Sequence, residues 1–120
     1  PANHGATHRH DPAHALQDDH ILVLEFHHDP ALMAQSPYPA KLRQRILSDQ
    51  GHLSNAQAQT LLTNLVTPSL HTLILAHLSS KTNTPELALA AANETLATLD
   101  RPDVQVLIAS QHELGPNCQV

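Results

Sequence analysis

One cysteine (Cys118), two aromatic side chains (Phe26 and Tyr38), no tryptophan and three glycines are all that 120 residues hold of these types. A lone cysteine excludes an internal disulfide and fits a reducing cytoplasm. Two aromatics leave no stacking platform for single-stranded nucleic acid. Six Lys and Arg stand against eleven Asp and Glu, a formal net charge of −5, so no basic stripe exists for binding built on many phosphate contacts. No apolar run approaches the ~20 residues that cross a bilayer, and no signal peptide opens the chain. The composition reads as a soluble, cytoplasmic protein with no membrane partner, and the length as a single domain over 1–120.

What is abundant is histidine. Eleven of them outnumber all lysines and arginines together. Histidine is the commonest metal ligand and the side chain that titrates nearest neutral pH. Exposed histidines are also ordinary surface residues, so position has to separate the two.

Hydrophobic patterning supplies the positions. Residues 1–19 are polar, with a brief helical hint at 12–16. "ILVLEF" at 21–26 is a nearly continuous apolar run, expected to be a strand covered on both faces. Glu25 is its anomaly, because a carboxylate there is costly unless paired or bound. A proline-punctuated loop with a short helical turn follows, then a helix at 40–47 carrying Lys41, Arg43 and Arg45. Ser54 with Gln57 three residues on forms a capping box for a helix over 55–66. "LHTLILAH" ends a second buried strand at His77. Thr84 and Pro85 open a helix to about residue 99, and "VQVLIAS" at 104–110 is the last strand. The order β–α–α–β–α–β predicts an α/β layer with a largely parallel sheet.

His-Leu-Ser occurs twice, in "GHLSN" (51–55) and "AHLSS" (76–80). His77 stands at a strand's carboxyl end, where ligands gather in open α/β sheets. The alternative is a strand-end histidine bonded to a neighbouring loop. His52 precedes a helix N-terminus, whose free N–H groups and dipole attract anions, so with Ser54 and Asn55 it suits a phosphate. Its alternative is an exposed residue of a capping loop. "HHD" at 27–29 follows another strand end, and His28 and Asp29 with His77 make a candidate metal environment. There is no zinc-finger spacing, no H-E-x-x-H and no Gly-rich phosphate loop. The pair His8 and His10 has the form H-x-H without a preceding strand.

Taken in order, Leu24-Glu25, His28-Asp29, Tyr38-Pro39 followed by basic residues, "GHLSN", "AHLS" and "NTPE" resemble the second half of metallo-β-lactamase-fold hydrolases. The similarity covers most of residues 20–110 and is closest to the WalJ/YycJ-like subgroup, related to phosphodiesterases and nucleases. It implies half of an αββα sandwich, with two divalent ions, zinc or manganese, activating a bridging water in the complete fold. His77 then matches the last metal-binding histidine, and His52 a position beside the scissile phosphate, as general acid or orienting group. The fold's H-x-H-x-D-H motif belongs to a first half absent from these residues. The bridging aspartate would fall near His4, where there is none. His27 stands where Asn is usual, and His20 where an acidic residue is usual.

The expected function is a share in a metal-dependent hydrolase acting on phosphodiesters, DNA among them, with the isolated chain inactive. Two further readings are open. One is a non-catalytic histidine-rich metal-binding or interaction module. The other is a truncated product that covers an exposed sheet edge by forming a homodimer or by pairing with a first half.

Overall fold

The structure is a computed structural model and describes residues 14–47 and 51–109. His8, His10, Cys118 and the first residues of the 12–16 helical hint lie outside them. Four strands form one mixed sheet in the order β1 (Ala15–Gln17), β2 (Ile21–Glu25), β3 (Thr72–Ala76) and β4 (Gln105–Ile108). The last three run parallel and the first antiparallel. Helices α1 (Pro30–Ala34), α2 (Ala40–Leu47) and α3 (Asn55–Leu65) lie between β2 and β3, and α4 (Pro85–Thr98) lies between β3 and β4.

The residues after Ala13 are a strand where sequence suggested helix. The carboxylate of Asp18 accepts the N–H groups of His20 and Ile21, closing a tight turn that folds 15–17 back onto 22–24. Those two bonds hold the Asp18 carboxyl below its usual range. Elsewhere the helix boundaries follow their caps. Ser54 and Gln57 make the reciprocal capping box of α3, and Thr84 caps α4 with Pro85 in the first turn.

Register divides the sheet into two unlike faces. Leu22 and Leu24 pair with Leu73 and Leu75, which pair with Val106 and Ile108. These rows pack against Ala58, Leu62 and Leu65 of α3 and Ala88, Ala92 and Leu96 of α4, forming the core. On the opposite face the same register aligns Leu16, Val23, Ile74 and Leu107 across all four strands. Leu16 is 62% exposed and Leu107 44%, with Val23 and Ile74 half-buried. The continuous apolar run of β2 is therefore covered on one face only among the described residues. Among these residues, no helix is long and apolar enough to cross a membrane.

The end of α4 is a Schellman motif. The Arg101 N–H donates to Leu96 O and the Asp100 N–H to Ala97 O, which puts Asp100 at φ 61°. Left-handed backbone costs a residue with a Cβ about 1–2 kcal/mol, less for Asp than for most. Asp100→Gly is therefore expected to raise stability by up to ~1 kcal/mol, measured by urea denaturation. A loss of stability would show that the Asp100 side chain holds the turn.

Candidate functional site

Parallel pairing brings Glu25 of β2 opposite Ala76 of β3, so the two chain segments leave the sheet at one edge. The loop before α3 crosses this edge. The His27 N–H donates to Leu53 O, the Asn55 N–H donates to His28 O, and His28 bridges Ser54 as a parallel pair. Gly51 lets this loop pass close against the end of α2, because a Cβ there would overlap the carbonyl oxygens of Arg45 and Ile46.

The two His-Leu-Ser copies meet at Glu25. Its carboxylate is 3% exposed, and Oε2 accepts the Leu53 N–H at 2.8 Å and His52 Nδ1 at 3.1 Å. Oε1 accepts His77 Nδ1 at 3.3 Å. A buried carboxylate must be paired and hydrogen-bonded, and this one is. Both histidines thus carry their proton on the Nδ1 that faces Glu25, leaving Nε2 to act outward. His52 is 47% exposed and His77 60%. His77 holds φ 59°, an uncommon backbone for a residue with a Cβ, at the point where its ring meets the carboxylate.

His27 completes the corner. Its ring stacks on His52 with centroids 3.9 Å apart and planes 11° apart, and its Nδ1 lies 3.2 Å from His28 Nδ1. Burial, then the neighbouring His52, pushes His27 down to about 4. The same two causes lower His28. Glu25 and His27 were not assigned a role from sequence. The signal for Glu25 was its place in an apolar strand, but nothing in the sequence announces the stacking of His27.

The other expected site residues fall around this corner rather than in it. Ser54 Oγ accepts the Gln57 N–H as a helix cap. Asn55 is buried, its amide paired reciprocally with that of Asn83 at 3.0 Å, so it faces Asn83 and not solvent. Asn83 also donates to Phe26 O and accepts the Thr84 N–H, which locks the start of α4 to the end of β2. The Asp29 carboxylate accepts the Leu32 N–H and caps α1. His28 is fully buried. Among the described residues, no group of three or more His, Cys, Asp or Glu is placed to hold a metal ion. These residues do not by themselves fit the metal centre that the sequence resemblance implied.

Comparison with known proteins finds relatives of part of this chain. The chain is 35% identical over 81 residues to the exodeoxyribonuclease YycJ of Bacillus anthracis, covering 68% of this chain and 31% of that protein. It is also 35% identical over 78 residues to the exodeoxyribonuclease WalJ of two Streptococcus pneumoniae strains, covering 65% of this chain and 29% of each. Over that stretch the chain is WalJ/YycJ-like. It spans about a third of the length of these curated relatives. No family model matches, and no solved structure matches.

The depressed His27 and His28 carry a pH signature. Below pH 6.5 the unfolded chain takes up protons at these rings that the folded chain refuses down to about 4 at His27. More protons bound in the unfolded state means that stability falls as pH falls through this window. Urea midpoints measured from pH 7 to pH 4 should decline, and His27→Asn should flatten the decline. An unchanged slope in the variant would show that His27 titrates normally in the folded chain.

Proposed function

We propose that this chain supplies part of the active site of a phosphodiester hydrolase acting on DNA. The observation that carries the reading is the Glu25 carboxylate receiving His52 and His77 together. Support comes from the exodeoxyribonuclease relatives that the chain matches at 35% identity over about two thirds of its own length. A histidine fixed through Nδ1 by a carboxylate presents a single oriented Nε2. In its imidazolium form, paired with Glu25 through Nδ1–H, His52 gives the Nε2 proton to the leaving oxygen and is left as the neutral Nδ1–H tautomer, with Glu25 fixing that tautomer and His27 holding its plane. Ser54 follows His52 by two residues and caps α3, whose N-terminal dipole favours an approaching phosphate.

Among the described residues, His77 is proposed as the ligand to a divalent metal centre, zinc or manganese. The remaining ligands come from outside the described residues. When bound, such ions supply an activated water and neutralise charge on the phosphate.

The fold belongs to the same proposal. Sheets with parallel strands are normally covered on both faces, yet the Leu16, Val23, Ile74 and Leu107 row lies open. Full burial of each such side chain contributes about 1.5–3 kcal/mol. A second layer against this row would complete an αββα sandwich of the metallo-β-lactamase type, with Glu25, on the same face, at the rim of the join.

The test combines the chain with a segment carrying H-x-H-x-D-H. Chelator-sensitive digestion of linear DNA is expected from the pair, and none from the chain alone. His52→Ala should keep metal content while slowing hydrolysis by about 10²–10⁴-fold. His77→Ala should lose both metal and activity. Metal loss from His52→Ala with retention in His77→Ala would reverse the assignment, and no digestion by a folded, metal-loaded pair would overturn the proposal.

A further inference from the structure

Beside the Glu25 corner lies a cavity of about 690 Å³ that the histidine chemistry does not use, bounded by α1, α2 and the start of α3. His28 lines it. That side chain is wholly buried, and its Nε2 is the one buried side-chain nitrogen or oxygen among the described residues without a hydrogen-bond partner. Buried polar atoms are nearly always paired. An orphan on a cavity wall is completed by what enters the cavity.

The remaining polar lining offers donors. Arg43 brings a guanidinium, which cannot accept. Gln57 uses its Oε1 on the Ser54 N–H, which leaves its NH₂. Ser54 uses its oxygen on the Gln57 N–H, which leaves its O–H to give. His28 Nε2 is a donor when His28 Nδ1 accepts the His27 Nδ1–H, because the neutral His28 ring then keeps its own proton on Nε2. No carboxylate is among the described residues of the lining. The rest of the wall includes Pro30, Met33 and Leu47, apolar surface of the kind that packs on a flat ring, methionine above all.

Donors at one part and apolar wall at another fit an anion joined to a flat body. We propose that this cavity takes one nucleotide unit, the phosphate on Arg43, Ser54, Gln57 and His28, and the base on Pro30, Met33 and Leu47. As Ser54 also lines the loop that carries His52, the unit sits next to the proposed hydrolytic corner. A strand end held there gives an exonuclease its grip on a terminus. The choice of a nucleotide over other anions with an apolar body rests on the nuclease reading.

The test measures binding without hydrolysis, so the two proposals fail separately. The 120-residue chain with ¹⁵N-labelled histidine is titrated with deoxyadenosine 5′-monophosphate. A saturable shift of the His28 ring nitrogens is expected, with Kd below about 1 mM. Inorganic phosphate and deoxyadenosine should each bind at least about tenfold more weakly, as should the nucleotide to Arg43→Gln, the scale of one lost charge-assisted hydrogen bond. Arg43 is half-buried on the cavity side of α2, a helix with no buried residue, so this variant should keep the dispersed amide spectrum of the parent. The proposal is overturned if His28 shows no saturable shift in the folded chain up to roughly 10 mM. It is equally overturned if shifts are confined to His52 and His77, or if phosphate or deoxyadenosine alone binds as tightly as the nucleotide.

Discussion

Everything at the carboxyl edge of this sheet depends on one buried charge. A carboxylate moved from water into a protein interior costs several kcal/mol unless donors replace its hydration. Glu25 recovers that cost from three directions, through the Leu53 N–H, His52 and His77. The first two pin the loop before α3 across the end of β2, and the third turns the chain as it leaves β3. Take the carboxylate away and the loop, the strand exit and both rings lose their common anchor.

The two copies of the tripeptide therefore share an anchor and differ in everything else. After His52, Ser54 caps α3 and puts a helix N-terminus beside the ring. After His77, Ser79 Oγ receives the N–H groups of Lys81 and Thr82 and shapes the turn that leads to Asn83 and α4. One histidine is joined to a helix N-terminus, and the other stands exposed at a strand exit. Both rings are held from a single point, with the Asn55–Asn83 amide pair tying the two helix starts together.

Local patterns made much of the fold legible. The apolar runs gave β2 and β3 within a residue, and the Ser54 and Thr84 caps gave the starts of α3 and α4. Strand β1 escaped notice because three residues pairing through an Asp18 turn leave no periodicity to read. The open face escaped notice for a different reason. A run such as "ILVLEF" states that both faces are apolar, and says nothing about whether the same segment supplies both covers. The site was half legible. Glu25 was conspicuous as a charge in an apolar strand, but its partners lie 27 and 52 positions along the chain. Asn55 looked like an anion contact from its place at a helix start, and the deciding neighbour, Asn83, is 28 residues away.

The most direct test of the shared anchor is Glu25→Gln, which keeps the shape and removes the second acceptor oxygen. A glutamine can accept at one oxygen but presents an NH₂ at the other position, so it cannot receive both Nδ1 protons. Ring ¹⁵N shifts of His52 and His77 should change together in the variant, with at least one of them losing its Nδ1–H, while the α4 amide resonances stay in place. Unchanged shifts at both rings in a folded Glu25→Gln chain would contradict the account.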